Sequence, residues 1–227
     1  MKHSFYEKGK KEQNQIQAII AVCAISLIIL SIIISLKTSL YLLGILTFTL
    51  TLSIAAPFFD TPSLKKSGKL IYYSTLFITE KPKNKIIKIH GGTLFDYYFV
   101  IDKKLNGKQR TNFIIQQYLQ GLLCLIENYE NDNEMKVRGT SYIMNKRTAE
   151  KIGFKIIKTD FLQKAIITYN YFNILISNSI AKNKLSFPNL NETKTFETDF
   201  GQLIERKEYI TSLNNTLKNT IINAVEK

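Results

Sequence analysis

A chain of 227 residues with 45% hydrophobic side chains and a formal charge of +13 has enough apolar content for a packed core, which excludes a solvated, disordered chain. The charge calls for an anionic partner, and nucleic acid, phospholipid headgroups and a phosphate-bearing cofactor are the candidates, although high Ile, Lys and Asn usage also follows from an AT-rich coding sequence. Two cysteines, Cys23 and Cys124, and two isolated histidines, His3 and His90, exclude a disulfide framework and predict no metal site.

Residues 1–15 read as a basic tail and 16–59 as a transmembrane helical hairpin. From Ala18 to Leu36 the run "AIIAVCAISLIILSIIISL" is uncharged and long enough to cross a hydrocarbon core of roughly 30 Å. It is too long for the apolar region of a signal peptide. The second run, Leu40 to Phe59, contains threonines whose hydroxyls bond back to the preceding turn, and only Lys37, Thr38 and Ser39 separate the two. That link forces an antiparallel hairpin, with Pro57 and Asp60 expected to end the second helix. Lys2, Lys8, Lys10 and Lys11 precede the first span and Lys65, Lys66 and Lys69 follow the second. The positive-inside rule then predicts an integral protein of the cytoplasmic membrane with both termini in the cytoplasm. The same lysines are placed to meet anionic headgroups, at about 1 kcal/mol each.

Residues 60–158 read as a cytosolic α/β domain with a mixed sheet. "KLIYYSTLFIT" and "KIIKIHGG" predict a hairpin turning at "EKPKN", and "LFDYYFVID" reads as a strand or a short helix, since Leu94, Tyr98 and Ile101 keep helical spacing, with its aromatics favouring a third strand. On that reading Asp96 and Asp102 are solvated and too far apart to cooperate. "NFIIQQYLQGLLCLIENYE" predicts a helix, with Gly121 giving close approach to a sheet. "MKVRGTSYIM" then predicts a strand, Asn145 caps a short helix "KRTAEKI", and Gly153 supplies its left-handed exit before the strand "FKIIK". Residues 159–227 form a helical segment: one helix over 160–182, a linker "LSFPNLNETKTFET", and a last helix from Asp199. Their leucine and isoleucine rows predict packing on the domain, with a protein partner or self-association through 160–182 and 199–225 as the other outlet.

This element order, ending in "AEKIGFKI", resembles the second half of the GNAT-type N-acetyltransferase superfamily over residues 69–158. The resemblance implies a GNAT-like half sheet, acyl-CoA as cofactor, and a loop whose backbone amides hold the CoA pyrophosphate at a helix N-terminus. The matching loop is "LNGKQRTNF", so Gly107, Lys108, Gln109, Arg110 and Thr111 are the implied phosphate-binding residues. It carries one glycine where the family pattern has two. Where the family has a tyrosine as general acid this chain has Ala149, which leaves Tyr142, at the end of the preceding strand, as the candidate proton donor. "HGGT" at 90–93 lacks the nucleophile elbow of an esterase and reads as a turn. No recognition helix or aromatic RNA-binding pattern accompanies the basic residues, so nucleic acid is not expected. The sequence thus predicts a two-helix transmembrane hairpin, a cytosolic α/β domain and two C-terminal helices. Its expected role is a non-catalytic binding or scaffold module, and the alternative is acyl-CoA-dependent N-acyl transfer at the membrane.

Overall fold

The computed structural model of the chain describes residues 3–130, 132 and 134–225. Lys2 and the last two residues of the C-terminal segment lie outside that range. In chain order the elements are α1 (Lys10–Thr38), α2 (Tyr41–Ala55), α3 (Pro57–Lys66), β1 (Leu70–Tyr72), β2 (Phe77–Glu80), β3 (Ile86–Gly91), α4 (Leu94–Val100), α5 (Gly107–Asn128), β4 (Lys136–Ser141) and α6 (Lys146–Lys151). They continue with β5 (Lys155–Ile157), α7 (Phe161–Tyr169), α8 (Tyr171–Lys182), β6 (Lys194–Asp199), α9 (Phe200–Glu205) and α10 (Lys207–Val225).

Two stretches, Lys10–Thr38 and Tyr41–Lys66, are helical, long and apolar enough to cross a membrane, and only 11% of each apolar window is buried, so neither is the core helix of a soluble fold. Ser39 takes the left-handed conformation that reverses the chain between them. The helices touch through small residues: a Cβ on Gly44 would lie 3.0 Å from Ser35 Oγ, the kind of contact that lets helices approach without a hydrophobic drive. Thr47 and Thr49 donate back to the carbonyls of Leu43 and Ile45, each at 2.9 Å, as their spacing predicts.

The second helix does not stop at Pro57. Ala56 stays right-handed helical and Pro57 opens α3 directly. A proline inside a helix has no N–H for the carbonyl four residues earlier. Pro57 therefore leaves the Ser53 carbonyl open, and Asn173 Nδ2 of α8 donates to it at 3.1 Å. Pro62 leaves the Phe58 carbonyl open, and Gln17 Nε2 of α1 donates to it at 3.0 Å. Each proline thereby becomes a socket for an amide from another element.

The six strands form one mixed sheet in the order β1-β2-β3-β4-β6-β5. β2 and β3 make the expected hairpin, reversing at Asn84 and Lys85, both with positive φ, as a two-residue turn requires. β3 and β4 are parallel, joined by a crossover through α4 and α5, while β4–β6 and β6–β5 are antiparallel. One sheet face carries Phe77, Ile87, Val137 and Phe196 into a core completed by Leu122 and Ile126 of α5, Leu203 of α9 and Ile210 of α10. A Cβ on Gly121 would lie 2.3 Å from the Phe77 side chain, so the glycine is what seats α5 on the sheet. On the opposite face the strand alternation places Lys88, His90, Arg138, Glu197 and Lys155, half-buried or exposed. Arg138 Nε and Lys136 Nζ donate to Glu197 at 2.8 and 3.1 Å, and His90 Nε2 meets Glu80 at 2.9 Å.

Several elements depart from the sequence reading. "LFDYYFVID" is helix α4, because Thr93 and Asp96 form a reciprocal capping box that starts a helix there. The run from Lys69 to Thr79 is two strands, with Tyr73 and Ser74 N–H groups turned onto the Phe77 carbonyl. The helix expected over 160–182 breaks at Asn170 into α7 and α8. "KTFETD" is not linker but β6, inserted between β4 and β5, where Phe196 is fully buried. The last helix, expected to run unbroken from Asp199, is interrupted at Arg206 between α9 and α10. Asn145 accepts from Thr148 N and Gly153 has φ +91°, both as expected.

Candidate functional site

The most concentrated polar cluster is built on a residue that the sequence placed in solvent. Asp96, at the third position of α4, is fully buried. Its Oδ2 accepts from the Thr93 backbone N–H at 2.7 Å and the Thr93 hydroxyl at 2.8 Å. Its Oδ1 accepts from Tyr72 Oη at 2.7 Å and lies 3.2 Å from His3 Nε2. Because the Thr93 proton is used on Asp96, the 3.1 Å contact between Thr61 and Thr93 must have Thr61 as donor. One carboxylate thus links the N-terminal segment, α3, β1 and α4. Four hydrogen bonds are what allow a buried acid to persist.

Aromatic rings enclose this node. Phe5 is buried, with its ring centroid 4.9 Å from Phe95 and 5.2 Å from Phe99. His3 stacks on Phe95 at 5.2 Å, and Lys65 Nζ stands 3.3 Å above the Tyr6 ring and 4.9 Å from that of Tyr72. Burial, and then the neighbouring Asp96 charge, push the Tyr72 phenol far above its ordinary range; burial does the same to Tyr6. The phenols therefore stay protonated, and Tyr72 donates its proton to Asp96. His3 is structural here, an outcome its isolated position in sequence could not specify. Lys8, Lys10, Lys11, Lys66 and Lys69 are exposed around the base of the hairpin.

The loop singled out for phosphates is the start of α5. Asn106 caps it, accepting from Gln109 N at 3.0 Å while Gln109 Oε1 accepts from Asn106 N at 2.8 Å. Arg110 is buried, and its guanidinium donates to the carbonyls of Leu105, Ile180 and Lys103, all at 2.8 Å. A Cβ on Gly107 would sit 2.3 Å from the Lys182 carbonyl, so the positive end of α5 abuts the carbonyl end of α8. Thr111 Oγ1 donates to the Gly107 carbonyl at 2.8 Å. Lys108 is exposed. The five residues thus lie together, but Arg110 is turned inward and three of its N–H groups are already used on carbonyls.

Tyr142 follows β4 at the point where β3 and β4 part: their register ends at Ile89–Gly139, and both strands run on beyond it. Tyr97 of α4 and Tyr118 of α5 meet there, Oη to Oη, at 3.1 Å, and the Tyr118 hydroxyl fills the space that a side chain on Gly91 would need. Burial raises all three phenols, Tyr142 further by its proximity to Tyr118. A raised phenol holds its proton, which runs against use as a general acid near neutral pH. The two best-formed surface hollows lie elsewhere, one along α10 and one between α6 and α10 lined by Arg147, Glu150, Lys151, Arg206 and Tyr209. Among the described residues no cluster of three or more His, Cys, Asp or Glu side chains could hold a metal ion.

The site that sequence reading missed had a visible signal. Thr93-x-x-Asp96 is a helix-start pattern, and recognising it moves Asp96 from a strand face to a cap. His3 carried no comparable signal, since its partner lies 93 positions away. No protein-family model, curated protein or solved structure matches this chain.

Proposed function

We propose that the chain is a membrane-anchored cytosolic module that binds a partner and does not catalyse. The observation that carries this reading is the fate of Arg110: its guanidinium is spent on three carbonyls, so the loop implied to hold a diphosphate lacks its strongest anion ligand. Tyr142, half-buried and with its phenol raised by burial, supports the same reading. The hairpin spans the bilayer twice, and the lysines at its open end keep both termini and the α/β domain in the cytoplasm. Lys8, Lys10, Lys11, Lys66 and Lys69 meet anionic headgroups there. The uncovered sheet face with Lys88, Lys136, Arg138 and Lys155 is the surface offered to an anionic ligand or acidic protein. α10 spends Ile210, Leu213 and Leu217 on the core of its own chain, so self-association is the lesser reading.

Acyl-CoA-dependent N-acyl transfer is the competing reading, and β6 favours it. The GNAT-type resemblance calls for a closing strand pair after the Gly-Phe turn, and β5 with β6 makes an antiparallel pair there, interrupted in sequence by α7 and α8. We therefore read the domain as an acyltransferase-like half sheet whose ligand loop has become a packing joint. Thermal unfolding of the detergent-solubilised protein with acetyl-CoA or CoA separates the two. A ligand at a hundred times its Kd stabilises by about 2.7 kcal/mol; no shift is expected, and a shift of that size with both ligands would restore the transferase. Membrane placement is tested by protease. The C-terminal part should survive in intact spheroplasts and be cut in inverted vesicles, and recovery of the chain in an alkaline wash would overturn the anchor.

A further inference from the structure

α7 is amphipathic, and its apolar side lies open. At 3.6 residues per turn Phe161, Leu162, Ala165, Ile166 and Tyr169 share one arc of about 140°, with Gln163, Lys164, Thr168 and the half-buried Ile167 outside it. All five are exposed, Phe161 to 87% and Tyr169 to 70%. A soluble domain does not leave such a stripe facing water without a reason. The start of α8 that follows is held by the second apolar helix, through the bond from Asn173 to the carbonyl that Pro57 leaves open. Ser53 lies six residues before Phe59, where the apolar run ends, which is about 9 Å along a helix. Apolar side chains of that helix, Phe48 and Leu52 among them, are exposed as well.

We infer that α7 is a third membrane contact, lying in the surface of the bilayer beside the second span, with the Phe161–Tyr169 face among the acyl chains. This rests on the reading of the hairpin as spanning. Two features select lipid over a protein partner. The tether at Ser53 holds the end of α7 below the level where the apolar span ends, and Lys158 and Lys164, both exposed, are available to headgroups. An interfacial helix sinks its apolar face about 5–10 Å into the headgroup and acyl boundary.

The chain contains no tryptophan, so one introduced indole reports without background. Full-length Phe161→Trp and, separately, Phe48→Trp would be reconstituted in phosphatidylcholine and phosphatidylglycerol vesicles whose acyl chains are brominated either near the carboxyl end or near the methyl end. The expected result is that Phe161→Trp is quenched more by the shallow bromines than by the deep ones, and that Phe48→Trp is quenched by bilayer bromines as a span residue. Quenching of Phe48→Trp with none for Phe161→Trp overturns the inference and leaves the hairpin standing, whether the indole is in water or under a second copy of the chain. Loss of quenching at Phe48→Trp removes the spanning hairpin and, with it, the placement of α7 beside the second span.

Discussion

Thr93–Asp96 and Asn106–Gln109 are the same device, a side chain at the cap and another three residues on that bond reciprocally to each other's backbone. They start adjacent helices, yet the first is sealed inside the molecule and the second sits at its edge. The carboxylate of the first collects partners from His3, Tyr72 and Thr93, whereas the cap of the second, Asn106, is exposed and pairs with the backbone of Gln109. What differs is the surrounding polypeptide: the N-terminal segment folds over the start of α4, whereas the end of α8 abuts the start of α5 at Gly107. Local sequence chooses where a helix begins, and tertiary packing decides whether that start also becomes a joint.

This contrast orders the expected effects of mutation. Asp96→Ala strands a buried histidine, a phenol and a backbone amide together. It should cost about 3 kcal/mol or more, read by denaturant unfolding of the solubilised protein, and hydrogen exchange at residues 3–8 should accelerate because their anchor is gone. An effect confined to α4 would mean that the node does not hold the N-terminal segment. Arg110→Met removes donors from three carbonyls while keeping much of the side-chain bulk, and about 2 kcal/mol is expected in the same measurement. Asn106→Ala, on the exposed cap, should cost about 1 kcal/mol; a loss matching that of Asp96→Ala would erase the distinction between the two boxes.

The smallest effect concerns the open sheet face and depends on pH. Burial alone would raise the Glu197 carboxyl, but hydrogen bonds from Arg138 and Lys136 outweigh it and hold the group below its usual value of 4.5. A folded value below the unfolded one stabilises the protein above the ordinary glutamate range, and that contribution is lost as pH falls through the folded value. Wild type should therefore lose stability more steeply on acidification below about 4.5 than Glu197→Gln does, in thermal melts across that interval. Identical acid limbs would show that the ion pair is screened out by water.

Much of this architecture is legible from the residues. The apolar runs, the β2–β3 hairpin, the Asn145 cap, the Gly153 exit and the Gly121 contact all follow from short-range rules, and each is local or involves a single neighbour. The failures share a cause. "LFDYYFVID" sets strand propensity against the helical spacing of Leu94, Tyr98 and Ile101, and the cap preceding it decides for helix. "KTFETD" follows a Pro- and Asn-containing stretch that looks like linker, and its burial comes from β4 and β5, which lie far upstream in the chain and pair with it at Val137–Thr198 and Ile157–Thr195. Of the candidate site, the grouping of residues 107–111 was readable, but the inward turn of Arg110 was not, because two of its three acceptors belong to the loop before it and the third to α8.

The paired sockets at Pro57 and Pro62 have a mechanical result. Gln17 of α1 and Asn173 of α8 reach the same α2–α3 rod from different sides at separate heights, so the rod is fastened at one level to its hairpin partner and at the other to the α/β domain. The domain is carried like a vane on a mast, with its charged sheet face kept at one bearing to the hairpin.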